Sequence, residues 1–103
     1  MPVHELRIYT INRGMMDAWL ACFQKDVAPL SKQFGIPIVA SWTNTDRTEF
    51  IWVRTFADED DRKRRTESLY GSSAWEQMKD RVRSHIAKTE VRAVEPTSFS
   101  PLK

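Results

Sequence analysis

The sequence predicts an α+β domain of ferredoxin-like order, βαββαβ, on a four-stranded antiparallel sheet with its helices on one face. Three observations predict it. Side-chain character alternates over residues 3–12. The apolar spacing then changes to threes and fours after Gly14. Two stretches rich in β-branched and aromatic residues, 36–43 and 48–56, follow with only four polar residues between them.

Each element has its own warrant. In the first strand Leu6 and Ile8 share one face, while Glu5, Arg7 and Tyr9 share the other. Asn12-Arg13-Gly14 reads as a turn. Met16, Trp19, Leu20, Phe23, Val27, Leu30 and Phe34 then draw one apolar stripe down a helix that Gly35 and Pro37 end. Pro29 inside that stripe lacks the N–H owed to Lys25 and predicts a kink. The polar Asn44-Thr45-Asp46-Arg47 joins the second and third strands as a hairpin. Asp58 caps a helix whose acidic residues 58–61 precede basic residues 62–65, the order the helix dipole favours. Gly71 breaks this second helical region, and Ser73-x-x-Glu76 reads as a capping box opening a helix with Trp75, Met78, Val82 and Ile86 on one side. Residues 88–95 read as the last strand, followed by an extended C-terminal tail over 96–103 with Pro96 and Pro101.

With 103 residues, 41% hydrophobic and 29% charged, the chain suits one compact domain over residues 1–103. A net charge of +2 with interleaved signs does not suggest nucleic-acid binding. The lone Cys22 allows no internal disulfide, no signal-peptide pattern opens the chain, and no apolar run approaches the ~20 residues that span a bilayer. The expected location is cytoplasmic.

The strands carry a further message. In the third, Ile51 and Val53 point one way while Phe50, Trp52 and Phe56 point the other; in the second, Ile38, Ala40 and Trp42 oppose Val39. Neither side reads as solvated, yet the helices can cover only one. The expectation is an isologous homodimer in which a second copy closes over the sheet, with Trp42, Trp52, Phe50 and Phe56 forming a contiguous apolar patch.

Chemistry is less legible. His4 and His85 have no neighbouring ligands at metal spacing, so no metal is expected. Cys22 beside Phe23 reads as packing. One polar constellation stands out: Glu5, Arg7 and Tyr9 on one strand face, with Arg54 and Arg92 on flanking strands within reach. It is either a charge network fixing register inside the dimer interface, or a site in which Arg7 and Tyr9 stabilise an oxyanion while Glu5 orients Arg7. Trp19, Trp42, Trp52 and Trp75 could wall a pocket for a flat apolar ligand, with Arg54 beside them. The charge run Asp58 to Arg65 reads as a solvated helix face.

Several of these segments resemble the NIPSNAP family: His-Glu-Leu-Arg-Ile-Tyr-Thr at 4–10, Gly14, Lys-Gln-Phe-Gly-Ile-Pro at 32–37, Trp42-Thr43, Leu69-Tyr70 with Trp75, and Pro-Thr-Ser-Phe-Ser-Pro-Leu at 96–102. The chain departs from the family pattern at Phe50-Ile51-Trp52, where members often carry a histidine before the tryptophan. The resemblance is to small bacterial-type members and implies the dimeric α+β barrel, in which two ferredoxin-like sheets face each other and pockets lie between helices and sheet. It implies no common reaction. Relatives in that wider superfamily include cofactor-independent monooxygenases, isomerases and haem enzymes; neither histidine here sits at an evident axial position, and no cofactor is expected. The leading expectation is a homodimer that binds a small apolar or aromatic ligand or acts as an interaction module. The alternative is a monooxygenase or isomerase acting on an enolisable aromatic or ketone.

Overall fold

A computed structural model describes residues 1–103. Strand β1 (Val3–Ile11) leads through a turn at Gly14, whose φ of 78° suits glycine, into α1 (Met16–Cys22). A π-helical segment (Phe23–Val27) and α2 (Ala28–Gln33) complete the first helical region. Then come the hairpin β2 (Ile38–Thr43) and β3 (Glu49–Phe56), helices α3 (Glu59–Tyr70) and α4 (Ser73–Arg83), and β4 (Ile86–Val94). The sheet order is β2-β3-β1-β4 with every pair antiparallel, so β1 is central. The chain has the predicted ferredoxin-like α+β fold.

The kink expected at Pro29 takes the form of the π segment. The Ala28 N–H donates to the Phe23 carbonyl, five residues back, and this wider turn accommodates a proline that has no N–H to give. Asp58 caps α3 as expected, its side chain accepting from Asp61 N–H. The α4 cap is Ser72 rather than Ser73: its hydroxyl accepts from Trp75 N–H, and Ser73 is already helical. Ile86 does not extend α4 but opens β4, two residues earlier than the alternation suggested. The tail carries no helix or strand and closes one turn, Ser100 N–H to the Thr97 carbonyl.

Strand alternation places the core. Val3, Glu5, Tyr9 and Ile11 of β1, with Phe50, Trp52, Arg54 and Phe56 of β3, are buried on the helix-covered face. There Tyr9, Trp19, Phe23, Phe50 and Trp52 interlock, with Trp19 meeting Tyr9 edge-on at 5.6 Å and Phe23 meeting Trp52 at 5.0 Å. Trp19 is fully buried, and truncating such a residue to alanine typically costs about 3–5 kcal/mol.

The expected aromatic patch therefore divides. Phe50, Trp52 and Phe56 lie beneath the helices, whereas Trp42 is 55% exposed on the opposite face, in register with Ile51. Ile38 also parts from Ala40 and Trp42. A register shift between Ile38 and Ala40 pairs Ile38 with Arg54 on the covered side and Ala40 with Val53 on the open side. What the helices leave open is an aliphatic field of Leu6, Ile8, Ile51 and Val53 with Trp42 at its edge.

Candidate functional site

The site grows from the central strand. Because β1 alternates, Glu5, Arg7 and Tyr9 all face the helices, and the β1–β3 register sets Arg54 opposite Glu5 and Trp52 opposite Arg7. Arg7 Nη1 donates to Glu5 Oε1 at 2.7 Å, and Arg7 Nε donates to the Tyr9 hydroxyl at 2.8 Å. Arg54 Nε donates to the same Oε1 at 2.8 Å, and its Nη2 donates to the Tyr70 hydroxyl at 3.0 Å. Arg62 of α3 donates through Nε to Glu5 Oε2 at 2.8 Å. One carboxylate thus gathers three guanidiniums from two strands and a helix.

Burial by itself would push the Glu5 carboxyl up. The charge of Arg54, with the bonds from Arg7 and Arg62, outweighs it and holds the group below the ordinary carboxylate range. The guanidiniums are cushioned by rings: Arg7 lies 5.9 Å from the Trp52 centroid, and Arg54 lies 5.3 Å from Trp52 and 5.6 Å from Tyr70.

Beside this cluster a cavity of about 360 Å³ opens between helices and sheet. Of the predicted candidates it brings together Arg7, Tyr9, Trp19, Trp52, Arg54 and Trp75. Glu5 stands behind the wall, bonded to its arginines. Trp42 and Arg92 do not belong to it: Trp42 is on the open face, and Arg92, in register with Leu6, also lies there and pairs with Glu90. The polar cluster is accordingly not part of a sheet-to-sheet interface, because it occupies the covered side. Nor is the Asp58–Arg65 run merely a solvated face. Asp61 is buried and takes Ala57 N–H and Arg65, while Arg62 reaches the site.

Sequence reasoning missed Arg62, Tyr70, Arg83 and Thr89. A usable signal existed for Arg62, which precedes buried Leu69 by seven residues and so shares its helical face. The Tyr70 ring meets Trp75 edge-on at 5.3 Å across the Gly71 break, a contact no local pattern reveals.

Chemically the lining is rich in donors. It contains guanidiniums, phenols and three indoles, but no Asp, Glu or His. Trp19 Nε1 and Trp52 Nε1 are buried and have no hydrogen-bond partner. No group of three or more His, Cys, Asp and Glu residues could hold a metal ion, and no helix is long and apolar enough to cross a membrane. Cys22 lies on the core side with its thiol pushed up by burial and by Asp26, as suits packing rather than a nucleophile.

The NIPSNAP family model matches residues 4–101. Among solved structures, a NIPSNAP family protein from Agrobacterium tumefaciens is similar at 25% identity and a TM-score of 0.93, with both chains covered in full. A NIPSNAP domain protein from Burkholderia xenovorans is similar at 20% identity and a TM-score of 0.89, covering 96% of this chain and 98% of that one. A putative antibiotic biosynthesis monooxygenase from Bacteroides thetaiotaomicron shares the fold at 13% identity and a TM-score of 0.74, covering 99% and 94%. No curated protein matches in sequence.

Proposed function

The chain belongs to the NIPSNAP family, and from that premise we propose that it acts as a homodimer binding a small apolar or aromatic molecule between helices and sheet. The observation that carries this reading is the cavity itself. Its about 360 Å³ lies in the range of small-molecule sites, and its walls combine indole, phenol and aliphatic surfaces with a few convergent donors. The homodimer is supported by the aliphatic open face, which a second sheet would cover. A cytoplasmic setting agrees with the lone free thiol of Cys22.

An enzymatic reading stands second. The Tyr9 oxygen accepts from Arg7, which leaves the phenolic proton free for a substrate oxygen, and that favours oxyanion stabilisation in a monooxygenase or isomerase. It ranks below binding because an enolisable substrate must lose a proton, and the lining offers no carboxylate or imidazole to take it.

A thermal-shift screen of small aromatic and apolar compounds tests the leading reading. Thr89 is exposed on the cavity rim, so Thr89→Trp would fill the entrance without touching the core. Ligands should raise the Tm of the parent chain by several degrees and leave Thr89→Trp unmoved. Equal shifts in both proteins, or none in either, would refute a ligand site in this cavity.

A further inference from the structure

We infer that the cavity selects a monoanion: a small carboxylate on an aromatic or alicyclic body, its oxygens held by Arg7 and Arg54 and its ring against Trp52. The inference rests on the reading of the cavity as a ligand site and adds the chemical class of the ligand.

Charge is the first support. Arg62 divides itself between Glu5 and Glu59, and Glu59 is half exposed to solvent. Deeper in, Arg7 and Arg54 share the single carboxylate of Glu5, and the Arg54 and Glu5 side chains are each only 2% exposed. Two guanidiniums against one carboxylate leave one positive charge in surplus. A surplus charge taken out of water is costly unless it is paired.

Donor capacity is the second. A guanidinium has five N–H groups. Arg7 spends one on Tyr9 and one on Glu5, and Arg54 spends one on Glu5 and one on Tyr70. Each therefore retains three, and both residues line the cavity. The Trp19 and Trp52 side chains border the same space, and their indole N–H groups are buried without an acceptor. Donors without acceptors are uncommon in such surroundings, and those left on Arg7 and Arg54 stand beside one space. No lining side chain carries negative charge, so the complementary group must come from outside the chain.

The shape of the rest follows. Beyond the arginines the walls are Trp75, Leu30 and Val82, which would receive a flat or alicyclic hydrocarbon and little else. A phosphate or sulfate ion alone would leave that apolar space unfilled.

Calorimetric titration of the full chain with a naphthoate, and with the naphthamide of the same substitution pattern, separates the possibilities. The two share a ring and differ in charge. The naphthoate should bind at least about tenfold more tightly, the scale of one charge-assisted hydrogen bond, and the advantage should shrink as salt is raised. Arg7→Met should remove most of that advantage, weakening the naphthoate far more than the naphthamide; Glu5 keeps Arg54 and Arg62, so its charge stays paired. If Arg7→Met fails to fold, the ratio in the parent chain decides alone. Equal affinities, or tighter binding of the amide, would overturn the anion and leave the ligand site standing. Binding of neither compound would overturn both.

Discussion

On one side of β1 stand Glu5, Arg7 and Tyr9; on the other side of the same strand stand Leu6 and Ile8. The helices cover the charged side and leave the aliphatic side open. A monomeric domain would be expected to do the opposite, with charges toward water and Leu6, Ile8, Ile51 and Val53 inside. The inversion shows that the two sides answer different demands. The covered side accepts charge because its carboxylate and guanidiniums meet partners from a neighbouring strand or helix. The open side is the one a second copy would cover in the proposed dimer.

The comparison breaks most severely at Glu5. Replacing it with leucine leaves Arg7, Arg54 and Arg62 facing one another with their common acceptor gone. Loss of one partner from a buried ion pair costs about 3–5 kcal/mol, so Glu5→Leu should lower the urea midpoint steeply or abolish folding. A midpoint within error of the parent would show that the cluster adds nothing to the fold. The same pairing has a pH signature. An unfolded glutamate takes up its proton near pH ~4.3, whereas native Glu5 stays ionised to lower pH. Its stabilisation is thus complete above that point and is lost as pH falls through the native value. Glu5→Gln should flatten this acid-side decline in Tm.

On the open side the largest effect is on assembly. Ile51 lies half-buried among Ile8 and Trp42 on the exposed sheet. In the proposed dimer Ile51→Asp would bury a carboxylate with no partner and should weaken self-association by about 2–4 kcal/mol, roughly thirty- to thousandfold in Kd. Light scattering across a dilution series reads this directly. A parent chain of single-chain mass, or a variant that stays dimeric, would leave the aliphatic face without the role assigned to it.

The covered side is partly legible in the sequence. Alternation over residues 3–11 sets Glu5, Arg7 and Tyr9 together, and topology alone makes β1 central, which brings Arg54 across from Glu5. Where the reading went astray, the cause was an event that local periodicity does not record. The register shift at Ile38/Ala40 moves Ile38 away from Trp42, and the odd positions of β3 cannot be told from the even ones as inside or outside until the helices are placed. Arg92 was misplaced by the same ambiguity, since nothing within 88–95 says which residues pair with Leu6 and which with Arg7. Arg62 is hidden by company: in a run of eight charged residues, the two that turn inward, Asp61 and Arg62, look like the rest.

Arg62 also supplies the smallest and most discriminating test. It joins α3 to the sheet, its side chain is 25% exposed, and its charge is shared with Glu59 at the surface. Removing it leaves Glu5 with Arg7 and Arg54, so the carboxylate remains paired; what is lost is one bond to Glu5 and the exposed bond to Glu59. Solvent screening trims both, and Arg62→Met should cost about 1–2 kcal/mol, well short of Glu5→Leu. It also brings the two inner guanidiniums and their one carboxylate no nearer neutrality, so the preference for a carboxylate ligand should survive. A chemical-denaturation series on the two single variants and the double variant reads the coupling. If Arg62→Met costs as much as Glu5→Leu, the helix-to-sheet strut and not the pairing of Arg7 and Arg54 is what the carboxylate provides.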